Sequence, residues 1–198
     1  AIPFLPDDYF WGIQVGKKYK KKVEMLVRKR HQGLFEAAKS EADTIEPLYN
    51  LAFAYAEFGL WDKARKAIKQ VLTLSEKYET RLKHAERKVA SKYIYGNEQF
   101  GLGSPDKANQ AAINLFKQAN EIIEQNSIDD VLHVKRMLRR IHLDQMYRII
   151  KEAEENLKRS REGRDETRRL YGKALELWQE VFAYGGHEIG LMEAWNEY

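Results

Sequence analysis

The stretch IEPLYNLAFAYAEFGLWDKARKAIKQVLTLS, residues 45–75, decides the fold of this 198-residue chain. A glycine, Gly59, divides it into two runs in which apolar and small residues recur at helical spacing. Those residues are Leu48, Leu51, Ala52 and Tyr55 before the glycine, and Ala64, Ile68, Val71 and Leu72 after it. The stretch therefore predicts two amphipathic helices joined by a tight turn.

Residue types at the helix ends support this prediction. Pro47 suits the first turn of a helix, where its missing N–H costs little, and Glu46 suits the positive end of the helix dipole. Gly59 can adopt the left-handed conformation that ends many helices, and Asp62 stands early in the second helix. The second helix either ends near Glu76 or continues through Lys77 and Tyr78.

The order of large, small and aromatic residues also predicts how the two helices pack. Ala52 and Ala64 should let the helix axes approach closely, with Tyr55 filling the space below. This order resembles the tetratricopeptide repeat (TPR), whose signature is W-x2-L-G-x2-Y, then A-x3-F, then P. Leu48 stands where the family has Trp, Ala52 where it has Gly and Ile68 where it has Phe, and the closing proline is absent.

The resemblance implies an all-α fold, a right-handed superhelical stack of antiparallel helical hairpins. It also implies a non-enzymatic scaffold or adaptor that binds a protein or peptide in a concave groove. Carried onto residues 45–75, the groove positions are Tyr49, Asn50, Phe53 and Glu57. Family members that grip an acidic C-terminus have Lys and Asn where Tyr49 and Phe53 stand, so an apolar or extended peptide, or a small hydrophobic ligand, is expected instead.

Composition limits the other classes of function. The chain is 43% hydrophobic and 32% charged with 4 prolines, which favours helices. It has no cysteine, which excludes disulfides, thiol catalysis and cysteine-based zinc sites. With 34 basic and 30 acidic residues the net charge is only +4, which weakens a nucleic-acid function without removing it. No apolar run reaches the length of a transmembrane helix.

Weaker copies of the repeat elsewhere in the sequence extend the prediction to one TPR-like domain over 17–198, preceded by an irregular arm at 1–16. The expected units are 17–43, 45–78, 80–125 and 128–183, with a C-terminal cap at 187–198. GLFEAA from Gly33 mirrors GLWDKA from Gly59, which predicts a turn at Gly33 and a short second helix from Leu34 to Asp43. Short stacks leave apolar end faces, so a homo-oligomer is also expected.

Two later segments carry further expectations. The segment Gly96–Lys107 predicts a glycine-rich surface loop, either a plain insertion or a contact loop, with Ser104 capping a helix that begins at Pro105. One long helix is predicted from Ile128 to about Ser160, and another from about Asp165 to Ala183.

A basic segment follows the arm. Residues 17–31 predict an amphipathic helix with Tyr19, Val23, Leu26, Val27 and Arg30 on one face. A basic patch covers the rest and consists of Lys17, Lys18, Lys20, Lys21, Lys22, Arg28 and Lys29. A solvated helix face is one interpretation, and binding of nucleic acid or an anionic membrane surface is the alternative.

No constellation predicts catalysis, a cofactor or a metal site. The histidines lie at 31, 84, 133, 142 and 187, none of them three or four residues from another, and no HExxH motif occurs. The opening at Ala1 fits a protein of the cytoplasm or a mature exported, periplasmic one, such as a ligand-binding accessory of a transport or envelope system. The sequence does not name the partner.

Overall fold

The computed structural model describes residues 13–102, 105–159 and 164–184. Every regular element in these ranges is helical, which confirms the all-α prediction. The helices are α1 (13–18), α2 (Lys20–Ala37), α3 (Ile45–Glu57), α4 (Trp61–Tyr78), α5 (Arg81–Leu102), α6 (Pro105–Asn126), α7 (Val134–Arg159) and α8 (Arg164–Ala183), with a 3-10 turn at Ala42–Thr44 before α3.

Helices that follow each other in the chain pack as neighbours within two compact units. The boundary between the units falls between Leu132 and His133. In the first unit α2 packs on α3, α3 on α4, α4 on α5 and α5 on α6, and in the second unit α7 packs on α8. The single domain over 17–198 stays a prediction, and the predicted cap at 187–198 lies outside the described residues.

The hairpin of α3 and α4 follows the sequence prediction closely. Gly59 has φ +65°, so it adopts the left-handed conformation expected of it. Its N–H donates to the Ala56 carbonyl at 2.9 Å, and the Leu60 N–H donates to the Tyr55 carbonyl at 2.9 Å. These two bonds form a Schellman motif, which satisfies carbonyls that the end of α3 would otherwise leave free.

Small residues line the contact between α3 and α4. Ala52 and Ala64 are both fully buried, as predicted, and Ile68 and Val71 are buried beside them. Pro47 and Glu46 lie in the first turn of α3, which confirms their predicted positions at the helix start. Because apolar side chains of α4 repeat at helical spacing, one face of this helix is continuously removed from water.

The predicted turn at Gly33 was wrong. Helix α2 runs without a break through this residue to Ala37, so residues 17–43 do not form a helical hairpin. GLFEAA and GLWDKA are similar in sequence but differ in backbone conformation, because Gly33 does not take the positive φ that ends α3 at Gly59. The low helix propensity of a single glycine costs about 1 kcal/mol relative to alanine, and the helix-forming residues around it offset that cost.

The predicted loop at Gly96–Lys107 was also wrong over most of its length. Helix α5 continues to Leu102 and α6 begins at Pro105. The ring of Phe116 on α6 packs directly on Gly96, and a Cβ built at Gly96 would lie 2.7 Å from the Phe116 Cζ atom. This glycine therefore serves a close helix contact and not a turn. The predicted capping residue Ser104 lies outside the described residues.

The predicted boundaries at 16 and 128 need correction as well. The described part of the predicted irregular arm, 13–16, is helical and belongs to α1. Buried Gly16 lies against the backbone of Phe58, where the absence of a side chain permits the close approach. Helix α7 begins at Val134 and not at Ile128, because Ser127 (φ 52°) and His133 (φ 54°) bound a non-helical connection.

The second unit is a hairpin of two long helices. Its buried apolar residues are Val134, Leu138, Ile141, Met146, Ala153, Leu170, Ala174 and Val181, and the polar residues His142 and Thr167 are buried with them. The ring of His142 stacks on Tyr184 with centroids 6.0 Å apart, and its Nδ1 lies 2.8 Å from the Leu138 carbonyl. The prediction of a helix from about Asp165 to Ala183 is confirmed to within one residue.

Candidate functional site

A buried arginine on α5 organises the most distinctive polar site of the first unit. The side chain of Arg87 is only 7% exposed. It donates to Glu46 at 2.8 Å and to both carboxylate oxygens of Glu79, at 2.9 Å and 3.1 Å. Its guanidinium carbon lies 4.4 Å from the centroid of the Tyr49 ring. The cation is thus held by two carboxylates and one aromatic face.

The electrostatics of this site follow from its burial. Burial alone would lower the pKa of Arg87, but the hydrogen bonds to Glu79 and Glu46 outweigh it, so the pKa is raised and the charge is permanent. Burial also raises the pKa of Tyr49, although the nearby Arg87 opposes this. Tyr49 therefore stays a neutral phenol at physiological pH and offers an aromatic face together with a hydroxyl group.

Arg87 and Tyr49 lie at a cleft of about 340 Å³ between α3, α5 and the connection after α6. Four carboxylates and two cations line it together with apolar side chains. The residues are Glu46, Tyr49, Lys83, Glu86, Arg87, Val89, Ile128, Asp129, Asp130, Val131 and Leu132. Lys83 and Glu86 pair with each other at 2.7 Å. Carboxylates are thus in excess at the cleft surface, and Val131, 69% exposed, adds an apolar rim.

The structure places the four predicted groove residues in different surroundings. Tyr49 lines the cleft just described, whereas Asn50 lines a shallower one of about 280 Å³ with Leu34 and Pro47. Phe53 is buried, with its ring centroid 5.0 Å from that of Tyr49 and 6.4 Å from that of Tyr93. Glu57 is exposed at the end of α3. Phe53 thus belongs to the core and is not open to a ligand.

Sequence reasoning missed the residues that complete the cleft. Arg87 stands in a mostly basic stretch in which Glu86 is the one carboxylate between Arg81 and Lys92, and it has no motif around it. Its partner Glu46 is far away in the chain. Asp129 and Asp130 fall inside the helix that was predicted from Ile128, but they lie in the connection before α7. No local signal marks these residues, because only the packing of α3 on α5 brings them together.

The basic patch is exposed throughout. All seven of its predicted members, from Lys17 to Lys29, lie on the surface. The opposite face of α2 buries Val23, Val27 and His31, and the Nδ1 of His31 lies 2.8 Å from the Val27 carbonyl. Tyr19, Leu26 and Arg30, which were predicted to share the apolar face, are exposed instead. Helix α2 packs through a narrower stripe than its sequence suggested.

A third cleft, of about 650 Å³, lies where α1 and α2 meet the start of α4. Lys17, Lys20 and Trp61 line it, together with an ion pair between Arg65 and the buried carboxylate of Glu98. Opposite charges are close to balance at this surface. The ion pair joins α4 to α5, so we assign it to the fold.

One serine–histidine contact resembles part of a catalytic pair but lacks access. Ser75 Oγ lies 2.6 Å from His84 Nδ1 and donates to the Leu72 carbonyl at 3.1 Å. Ser75 is fully buried, so no substrate can reach its hydroxyl. Burial, aided by the positive charge of Lys88, lowers the pKa of His84. The contact joins the end of α4 to α5.

No family model, curated protein or solved structure matches this chain. Over residues 13–102, 105–159 and 164–184, no helix is both long enough and apolar enough to cross a membrane. Within the same ranges, no group of three or more His, Asp or Glu side chains is placed to hold a metal ion.

Proposed function

We propose that this chain is a non-enzymatic scaffold that binds an extended, basic peptide segment of a partner protein. The binding site is the cleft between α3, α5 and residues 128–132. The observation that carries the proposal is the arrangement of Tyr49 and Arg87, which are positioned by Glu46 and Glu79 at the wall of an acidic cleft.

Three features of the cleft support a peptide as the ligand. Its lining combines an aromatic face, an apolar rim at Val131 and several carboxylates, which suits side chains that alternate between apolar and cationic. Its volume of about 340 Å³ accommodates one or two side chains, not a large cofactor. The Arg87 cluster is already paired, so binding does not require it to reorganise.

The TPR-like superhelix is part of the same proposal. In such a stack the first helix of each hairpin lines the concave surface, and here α3 and α5 would be those helices. Supporting observations are the two hairpins α3–α4 and α5–α6, and the contact between α3 and α5. The cleft would then lie on the concave surface, where Tyr49 was expected from the resemblance.

Fluorescence anisotropy with labelled peptides of equal length tests this function. The peptides should share one leucine and one tyrosine and differ only in net charge, from acidic to basic. We expect affinity to rise with positive charge and to fall with added salt. An Asp129→Asn/Glu86→Gln variant should bind the basic peptide about tenfold more weakly, because two cleft carboxylates are lost.

The matched control is Glu76→Gln/Glu121→Gln, which removes the same charge from exposed positions outside the cleft. It should bind the basic peptide like the unmodified protein. Equal weakening in both double variants would show that the attraction is due to net charge and would refute the cleft as the site. Preference for acidic peptides would refute the proposed ligand class.

A further inference from the structure

The exposed face of α2 presents an apolar side chain inside a ring of cations. Met25 is 59% exposed although it stands in the middle of an 18-residue helix. Residues three and four positions away are its neighbours on the helix surface. At Met25 these four neighbours are Lys21, Lys22, Arg28 and Lys29, all of them exposed. Exposed cations therefore stand on the helical turns above and below this methionine.

The next residue repeats the arrangement. Leu26 is 52% exposed, and its helical neighbours Lys22, Lys29 and Arg30 are exposed cations. The only acidic residue between Lys20 and His31 is Glu24, which turns toward Lys63 on α4 at 3.9 Å. The outward face thus has no carboxylate of its own between these residues to neutralise it.

Two costs coincide on this face. Like charges at helical spacing repel one another, and the two apolar side chains remain in water. A partner that relieves both must be anionic at its surface and apolar just below it. A bilayer with anionic headgroups has this layered chemistry. We propose that α2 docks this face on the surface of a membrane containing anionic lipids, with Met25 and Leu26 at the boundary between headgroups and acyl chains.

The same side chains disfavour nucleic acid as the partner. Bases are recognised through hydrogen-bond donors and acceptors or by stacking on aromatic and arginine planes. The centre of this face offers a thioether and an isobutyl group, which would lie against phosphates in a nucleic-acid complex. The flanking lysines act as point charges for phosphates of either kind, so the apolar centre is what distinguishes the two partners.

Vesicle flotation tests the proposal with the whole chain. The probes are vesicles of phosphatidylcholine alone and of equal parts phosphatidylcholine and phosphatidylserine. We expect binding only to the second kind, weakened by salt. Lys22→Gln/Lys29→Gln should reduce partitioning about 30-fold, and Met25→Ser/Leu26→Ser about tenfold or more.

Matched controls separate this face from charge and hydrophobicity in general. Lys66→Gln/Lys69→Gln removes two exposed lysines of α4, and Leu82→Ser removes an exposed leucine of α5. Both controls should float like the unmodified protein. Urea unfolding of each variant checks that the fold is retained, which is expected because all substituted side chains are exposed.

Several outcomes would overturn the proposal. One is failure to float with the anionic vesicles, and another is equal loss in the control variants. A third is normal flotation of Met25→Ser/Leu26→Ser, since no apolar contact would then exist. Tight binding to single-stranded RNA without vesicle binding would assign the face to nucleic acid. Peptide binding in the cleft is unaffected by any of these results, because α2 does not line it.

Discussion

The guanidinium carbon of Arg87 lies 4.4 Å from the centroid of the Tyr49 ring, over its face. The same guanidinium pairs with Glu46 in the first turn of α3 and with Glu79 just after α4. One side chain on α5 thus contacts the start of α3 and the segment just after α4. A cation over an aromatic ring contributes about 0.5–2 kcal/mol, depending on how far it is removed from water. This contact holds Tyr49 at the cleft wall before any ligand binds.

Replacement of Arg87 should destabilise the first unit. In Arg87→Met the largely buried Glu79 loses its partner, and we expect the free energy of unfolding to fall by about 2–3 kcal/mol. The stability of Arg87→Lys should lie between those of the unmodified protein and Arg87→Met. Lysine keeps the charge but cannot bond both oxygens of Glu79 with a planar fork. Urea denaturation followed by circular dichroism measures both. Lys66→Met on the exposed face of α4 is the control, and an Arg87→Met variant as stable as this control would contradict the prediction.

Phe53 should behave as a core residue and not as a groove residue. It is only 9% exposed and packs between Tyr49 and Tyr93, so Phe53→Ala should cost about 3–5 kcal/mol of stability. Leu82→Ala, at a half-exposed position on α5, should change stability by less than about 0.5 kcal/mol. Thermal unfolding of the two variants compares them directly. If Phe53→Ala lost peptide binding while its stability was unchanged, Phe53 would be a ligand-binding residue of the groove and not a core residue.

Two glycines inside helices should respond to alanine in opposite directions. A Cβ at Gly33 would meet no atom within 4 Å, so Gly33→Ala should stabilise α2 by about 0.5–1 kcal/mol. A Cβ at Gly96 would meet the Phe116 ring at 2.7 Å, so Gly96→Ala should destabilise the α5–α6 pair by about 1–3 kcal/mol. Urea denaturation of each variant gives both values. Stabilisation of both variants would show that helix propensity, not packing, decides the outcome.

Stability should depend on pH through His84. Its pKa is lowered below the ordinary value of 6.5 by burial and by Lys88, so the folded state binds protons less readily than the unfolded state. Above pH 6.5 the neutral histidine makes its full contribution to the free energy of unfolding. This contribution declines as the pH falls from 6.5 toward the lowered pKa. Urea unfolding at about pH 7.5 and about pH 5.5 measures how far the free energy of unfolding falls between the two conditions. This decrease should be smaller in His84→Gln than in the unmodified protein. Identical decreases would exclude His84 as the cause.

The sequence by itself determined the hairpin of α3 and α4. Gly59, Pro47 and Glu46 act through their own backbone conformation or through the nearest helix end, so their effects can be predicted from a few neighbouring residues. The burial of Ala52 and Ala64 follows from the same local pattern. The helical class of the chain was predictable for the same reason, because helical periodicity is a local property.

Tertiary structure decided what the other glycines and the charged residues do. Gly33 and Gly96 look like turn residues in the sequence, but one lies within a continuous helix and the other accommodates the Phe116 ring. The partners of Arg87 come from α3 and from the segment after α4, and only packing brings them to one point. Helix α2 has a wider apolar stripe than its neighbour covers, which leaves Leu26 in water. These features depend on contacts between residues far apart in the sequence. A local sequence pattern does not specify which helices pack against each other.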